Sequence, residues 1–332
     1  MTLARCSFVT IATTLLLGSL VSAQRPSQSS NTNKSASPKS LLASPILSRL
    51  LPAAPAGSAS ASTADVVRAL AATHLYNFLT ADFPGADATQ ATGVNAGKTV
   101  GIFSFSTTTF AFTFNGSRYA IYSVPGATQT VPFAVNASGQ IAGYYADSSN
   151  ALHGFVDTAG TFTTIDYPGA TTTAVTDINS SGHLAGIWID ASNGNHGFSY
   201  DGTTFTSLDP PGSTSTQAAG INGADEVVGL YDDAANVQHG FTYLGGVYST
   251  LDPPLSKSTI AFGINDNGVI SGSYNDSNSV THGFLYLNGV FNTVDVPGAS
   301  GTALTHINNK NRFAGYFYDQ ATSREVHGMT GH

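Results

Sequence analysis

One pattern returns about every 43 residues from Leu75 to the end of the sequence, six times in all. Its clearest marker is an Asn that follows an aliphatic residue, and a proline and a glycine keep nearly the same step. A fixed period of about 20–50 residues is typical of repeat architectures such as solenoids and propellers. The repeat therefore constrains the fold more tightly than any single motif does. The marker asparagines are Asn95, Asn136, Asn179, Asn222, Asn265 and Asn308.

Each copy has the pattern of four short strands. In the copy spanning 167–209, runs rich in Thr, Val and Ile alternate with turn sequences such as Asn179-Ser180-Ser181-Gly182 and Asp201-Gly202. Asn, Asp and Gly tolerate the positive φ that tight hairpin turns need. No window of ten residues has a helical pattern. Four short strands joined by hairpins are the unit of a β-propeller blade.

The two ends of the repeat region predict a closed ring. The first copy begins at the position of a fourth strand, since 76–82 aligns with 160–166, and the last copy ends just after a third strand. We therefore predict an all-β, six-bladed propeller with four antiparallel strands per blade. The N-terminal strand is expected to complete the C-terminal blade and leave no open edge. A stacked β-solenoid or a β-prism is the alternative.

Four copies carry a His-Gly-Phe motif upstream of a Pro-containing turn. This pattern resembles the bacterial HAF family of extracellular repeats, which is named for a His-Ala-Phe motif, and the resemblance spans residues 75–332. It implies export and a repeated β architecture, and it implies no defined reaction. The first copy departs from the pattern, with Phe110-Ala111-Phe112 in place of the motif. The matching units are His153-Gly154-Phe155, His196-Gly197-Phe198, His239-Gly240-Phe241 and His282-Gly283-Phe284.

The N-terminal region predicts export. Residues 1–23 have the pattern of a secretory signal peptide, with Arg5, an apolar run over 11–21 and a small-residue cleavage site before Gln24. Residues 24–74, rich in Ser, Ala and Pro, are predicted to be a disordered spacer with room for short helices. The sequence has no second apolar stretch, so no membrane anchor is predicted. We expect a secreted monomer, with a periplasmic location as the alternative.

Charge and missing motifs limit the function. Residues 75–332 hold six Lys and Arg against 19 Asp and Glu, a net charge of −13, which disfavours nucleic acid as a partner. No nucleophile elbow, phosphate loop or zinc motif is present. We expect a non-enzymatic binding module whose ligand, an extracellular protein or glycan, lies on an acidic loop face. The alternatives are an Asp-based polysaccharide hydrolase or lyase and a passive envelope or matrix component. No cofactor is expected, and the alternative is that the protein binds Ca²⁺.

The acidic loop face is built by an Asp after the second strand and a His that opens the third strand of each copy. A carboxylate and an imidazole N–H facing each other across a hairpin form a charge-assisted bond, which would lock each blade. Five near-identical copies favour this structural role, because catalysis needs one site. The same carboxylates remain candidates for ligand binding. They are Asp147, Asp190, Asp233, Asp276 and Asp319.

Departures from the repeat supply the other candidates. Two residues before the marker Asn, four copies have Gly or Ala, whereas the third has Asp177 and the sixth has His306. We expect these two to face a central channel, where a ligand or ion would touch them. The first copy has Phe105 and Phe110 where the others have Asp and His, which predicts a less polar sector and a candidate docking point. Trp188 is predicted to be a core residue.

Overall fold

The computed structural model describes residues 76–106, 108–318 and 326–332. The predicted signal peptide and spacer lie outside the described residues, and so does the candidate Asp319. No helix in the described part of the chain could span a bilayer. Below, the six sheets are called blades one to six in chain order.

Each blade is an antiparallel sheet of four strands, ordered along the sheet from inner to outer. Blade one contains β2 (Ala88–Asn95), β3 (Lys98–Phe105), β4 (Thr108–Phe114) and β5 (Tyr119–Tyr122). Blade two contains β6 (Gln129–Val135), β7 (Ile141–Ala146), β8 (Leu152–Thr158) and β9 (Thr161–Ile165). Blade three contains β10 (Thr172–Ile178), β11 (Leu184–Ile189), β12 (Asn195–Tyr200) and β13 (Phe205–Leu208).

The other three blades repeat this order. Blade four contains β14 (Ser215–Ile221), β15 (Val227–Asp232), β16 (Gln238–Leu244) and β17 (Val247–Leu251). Blade five contains β18 (Ser258–Ile264), β19 (Ile270–Asn275), β20 (Thr281–Leu287) and β21 (Val290–Val294). Blade six contains β22 (Gly301–Ile307), β23 (Phe313–Tyr318) and β24 (Val326–Gly331), and its outer strand is β1 (Phe78–Thr80).

The prediction of six four-stranded blades in a propeller is confirmed. β1 pairs antiparallel with β24, with Thr80 opposite Met329. Blades six and one also meet near the axis, where the hydroxyl of Thr305 donates a hydrogen bond of 2.9 Å to the carbonyl oxygen of Ala91. The β1 pairing covers the outer edge of β24, an edge that would otherwise be open to another chain.

The repeated Gly and Phe residues build the core of each blade. Phe198, in the His-Gly-Phe motif of blade three, is fully buried, and a Cβ placed on Gly186 would overlap its ring. Any side chain at the marker glycine would therefore displace the ring. Blade six ends its motif in Met329, which takes the same place over Gly315.

Small residues let the inner strands approach at the axis. A Cβ on Gly93 would lie 2.7 Å from the carbonyl oxygen of Phe133 in blade two. Each inner strand also carries a β-bulge immediately before this position, as between Val175 and Asp177 in β10. A bulge bends its strand and re-aims the side chains beside it.

The connections lie at two opposite ends of the sheets. One end carries the hairpins between first and second strands and between third and fourth strands, and we call it the Asn-turn face because the marker Asn opens its inner hairpins. The other end carries the loops between second and third strands and the connections between blades. We call it the His–Asp face.

Candidate functional site

The His that opens the third strand is held by an aromatic ring and two carboxylates in each blade from two to five. The imidazole of His153 stacks on Tyr145 of the neighbouring strand, with ring centroids 5.3 Å apart. In blade three the partner of His196 is Trp188, at 4.4 Å. Trp188 is half-buried and also stacks on Tyr167, so it packs against the core rather than projecting from the surface.

The nearer carboxylate belongs to the turn between blades. His153 Nδ1 lies 2.9 Å from Asp166, whereas its Nε2 lies 3.7 Å from the predicted partner, Asp147. The same order holds in blade four, where His239 Nδ1 is 2.7 Å from Asp252 and its Nε2 is 3.5 Å from Asp233. The predicted loop Asp is therefore the second partner of each His and the turn Asp the first.

The predicted loop carboxylates mainly order their own loops. Asp147 Oδ1 accepts hydrogen bonds from the backbone N–H groups of Ser149 and Ala151. Bonds to the ionised form hold the pKa of Asp147 below its ordinary value, with the Ser149 hydroxyl as the largest cause. Backbone N–H donors from residues 194, 237 and 280 are the largest cause of the lowered pKa in blades three to five. The carboxyls concerned there are Asp190, Asp233 and Asp276.

The charges of the surrounding carboxylates shift the pKa of the His in blade four. Burial lowers the pKa of His239, but hydrogen bonds and charge from Asp252 and Asp233 outweigh burial, so the pKa is raised above its ordinary value. Next to it, burial and then the charge of Asp233 raise the pKa of Asp232. The imidazole and the carboxyls of this part of the face therefore shift one another's pKa.

The His–Asp face is strongly acidic over the described residues. It carries 11 Asp, and its single described Lys or Arg is Lys257. Like charges concentrated on one surface create a field that attracts cations and basic molecules. No group of three or more His, Cys, Asp or Glu in the described part of the chain is placed to hold a metal ion, so a calcium site stays a prediction. The 11 residues are Asp82, Asp87, Asp147, Asp166, Asp190, Asp209, Asp232, Asp233, Asp252, Asp276 and Asp295.

Blade one interrupts this face with an aromatic cluster. Phe105 and Phe110, which stand where the repeat has Asp and His, are 40% and 37% exposed. Both pack on Phe103, at centroid distances of 5.5 and 5.4 Å. Phe83 also stacks on Phe103, with ring centroids 3.7 Å apart. We call Phe83, Phe103, Phe105 and Phe110 the Phe cluster.

The axial pair predicted from the repeat meets across the ring. Asp177 Oδ1 lies 3.6 Å from His306 Nε2, and both side chains are buried. Asp177 also accepts the backbone N–H of Ile221 from blade four at 2.9 Å. The cavity beside the pair has about 40 Å³, too small for an organic ligand. The pair joins opposite blades, and its role toward a small ion stays a prediction.

The marker Asn links consecutive blades on the Asn-turn face. The Asn179 side-chain oxygen accepts the backbone N–H groups of Ser181 and His183, which closes its own hairpin. Its Nδ2 donates to the carbonyl oxygen of Asn222 in blade four at 2.9 Å. The same bond joins blades two to three, four to five and five to six. This amide chain gives the marker Asn a role between blades from blade two to blade six.

Sequence reasoning did not identify the turn Asp as the main His partner. The two lie 13 residues apart, and they meet because Gly154 pairs with Ile165 across β8 and β9. The recurrence of both residues in the repeat was the available signal. Reasoning from the repeat also missed Phe83 and Phe103, because aromatic residues at those positions also occur in core sites.

Comparison with known proteins gives the fold neighbours of this chain and no family. No family model and no curated protein matches it, so the HAF resemblance stays a prediction. Among solved structures, AofleA from Arthrobotrys oligospora is 9% identical with a TM-score of 0.46, covering 76% of this chain and 89% of that one. Virginiamycin B lyase from Staphylococcus aureus is 9% identical with a TM-score of 0.45, covering 77% and 99%.

A fungal lectin from Aleuria aurantia, described as a six-bladed β-propeller with a fucose recognition mode, is 14% identical with a TM-score of 0.40. It covers 63% of this chain and 78% of the lectin. Likeness at this level carries no information about the ligand of this chain. The fold assignment depends on the strand order and pairing described above.

Proposed function

We propose that the chain is an exported, non-enzymatic binding module whose partner is a basic protein segment. The segment docks on the His–Asp face, with its apolar side chains on the Phe cluster. The observation that carries the proposal is the exposure of Phe105 and Phe110 at the positions where the repeat places Asp and His.

The aromatic cluster supplies the centre of such an interface. Exposed aromatic side chains offer large apolar area with few rotamers to freeze, and they are enriched at the centres of protein interfaces. Phe103 is almost fully buried and packs against both exposed rings, so the cluster is pre-organised. A partner would therefore bury Phe105 and Phe110 at little ordering cost.

The charge around the cluster selects the partner. The described part of the His–Asp face carries 11 Asp and one Lys. A rim of one sign accelerates association with a partner of the opposite sign and penalises a like-charged one. A segment that combines Lys or Arg with aromatic or aliphatic residues matches both properties of the surface.

The test compares the natural protein with a variant in which blade one follows the repeat. F105D/F110H replaces the two exposed rings by the residues of the other blades. Peptides selected from an unbiased display library on the natural protein should be rich in Lys or Arg together with aromatic or aliphatic residues. Their affinity should fall at least about tenfold for F105D/F110H. Ile121→Thr, which removes another exposed apolar side chain from β5, is the matched control and should bind normally.

Three results would contradict the proposal. Selected peptides without basic residues would remove the charge argument, and unchanged binding by F105D/F110H would remove the Phe cluster. A neutral glycan whose binding F105D/F110H abolishes would replace the protein segment with a saccharide. Export is checked separately by the N-terminus of the released protein, which should be Gln24.

A further inference from the structure

The seam between blades six and one opens on the Asn-turn face into a cavity of about 550 Å³. Pockets for small molecules in proteins span about 300–1,000 Å³, so this one has the size of a ligand site. Its lining mixes apolar, amide and cationic side chains, which include Val94, Phe114, Asn95, Asn308, Lys310 and Arg312.

The cavity lies where the repeat is broken. The first hairpin of blade one is one residue shorter than the others: Gly97 follows Asn95 by two positions, whereas Gly139 follows Asn136 by three. Ala96 and Gly97 both adopt positive φ, 49° and 73°, which makes a tight two-residue turn. Among the described residues, the amide chain that joins the blades ends at Asn308 and does not reach blade one. We call this opening the seam cavity.

Positive charge is concentrated around the seam cavity. Five Lys and Arg lie in the described part of the chain, and all of them except Lys257 are in blades one and six on the Asn-turn face. The four are Lys98, Arg118, Lys310 and Arg312. The described acidic residues at this face belong to blades two to five, and they are Asp157, Asp201, Asp225, Glu226 and Asp266.

These four cations have no acidic partner among the described residues. Every ion pair in that part of the chain joins a His to an Asp. The backbone N–H groups of Lys310 and Arg312 are bound to Asn308, which fixes the hairpin that presents both side chains. An anion in the seam cavity would therefore meet two lining cations, Lys310 and Arg312, that form no ion pair with a described Asp or Glu side chain.

We propose that the seam cavity binds an acidic sugar, a saccharide unit that carries a carboxylate. A guanidinium binds a carboxylate through two parallel N–H donors, and an ammonium adds a point charge. Arg312 and Lys310 supply these two groups. The side-chain amide of Asn95 can donate to and accept from sugar hydroxyls, whereas Asn308, whose Oδ1 already accepts two backbone N–H groups, offers its Nδ2 as a donor. Phe114 offers an apolar surface to the C–H groups of the sugar ring.

This site is independent of the proposed docking at the Phe cluster, because the two lie on opposite faces. The F105D/F110H variant should leave the seam cavity unchanged. Conversely, loss of binding in the seam cavity would leave the docking of a basic segment untouched. Failure of one proposal is therefore distinguishable from failure of the other.

The experiment is a calorimetric titration of the full chain with galacturonate and its di- and trisaccharide. K310Q/R312Q removes the two lining charges, and K257Q removes the described charge on the opposite face as a matched control. Affinity should fall at least about tenfold in K310Q/R312Q and stay unchanged in K257Q. Asn95→Asp places a carboxylate in the lining and should weaken binding by repulsion. Thermal unfolding of each variant checks that the fold is intact.

The matched neutral and inorganic probes decide the chemistry. Galactose, which lacks the carboxylate, should bind at least about tenfold more weakly. Equal binding of galactose would overturn the role of the cations, and phosphate binding as tightly as galacturonate would overturn the role of the sugar body. Unchanged affinity in K310Q/R312Q, or no binding of any of the uronates, would overturn the site itself.

Discussion

At the scale of single residues, burial and nearby charge shift the pKa of the repeated His in opposite directions. In blade four the carboxylates of Asp252 and Asp233 outweigh the desolvation of His239 and raise its pKa. The half-buried carboxyl of Asp232 lies nearby on the same hairpin. A raised pKa in the folded state means that the protonated imidazole binds its partners more strongly than it does in the unfolded chain. Its contribution is fully present below the unfolded value of about 6.5 and is lost as the pH rises through the folded value.

We therefore expect Asp252→Asn to destabilise the protein more at about pH 6 than at a pH above the folded-state pKa of His239, where the imidazole has lost its extra proton. The substitution should also lower the pKa of His239 toward its ordinary value. Denaturant unfolding at the two pH values and an NMR titration of the His239 ring measure both effects. Asp201→Asn is the matched control, since this exposed carboxyl, with a pKa lowered to about 2 chiefly by the Thr203 hydroxyl, bonds to its own turn. An equal loss of stability at both pH values would show that the proton on His239 does not contribute.

At the scale of the hairpin, the marker Asn closes its own turn and binds the next blade. Blade one differs, because its marker Asn lacks the bond to the next blade among the residues that the structure describes. Asn179 closes its own turn and also donates to blade four. In the described part of the chain, the side chain of Asn95 makes one hydrogen bond, which it accepts from the backbone N–H of Ala96. A buried hydrogen-bonding group left without its partner costs about 1–3 kcal/mol.

Asn179→Ala should therefore lower the free energy of unfolding by about 2–4 kcal/mol, since it removes several buried bonds at once. Asn95→Ala, the same change in the blade outside the amide chain, should cost about 1 kcal/mol or less. Denaturant unfolding monitored by tryptophan fluorescence compares the two variants. Equal losses would mean that the bond between blades contributes nothing beyond the closure of the hairpin.

The same scale shows what the sequence could predict. Strand number and order followed from the period, because turn residues mark every hairpin and the strands between them are short. The partner of His153 did not follow, since its contact with Asp166 depends on the register of β8 and β9. The seam cavity left a signal in the sequence, the missing residue between Asn95 and Gly97, but its volume depends on how blades six and one pack.

At the scale of the whole molecule, the ring is held at the axis and at one outer strand. Asp177 and His306 join blades three and six across the centre. At the rim, β1 covers β24, and the ring of Phe78 packs on Phe313 with centroids 5.9 Å apart. The first strand of the propeller therefore stabilises the last blade through both backbone pairing and aromatic burial.

Removing residues 1–80 should therefore damage the ring, whereas removing residues 1–75 should not. The longer deletion takes away β1, uncovers the edge of β24 and exposes Phe313. Each backbone hydrogen bond lost with β1 costs about 0.5–1.5 kcal/mol and each aromatic pair about 0.5–1.5 kcal/mol, and in a domain of this size each kcal/mol lowers the melting temperature by about 2–4 °C. We expect a fall of roughly 10 °C together with concentration-dependent association, because an open strand edge pairs with other chains. Calorimetry and light scattering on both truncations measure this, and identical melting curves for the two would show that β1 does not close the ring.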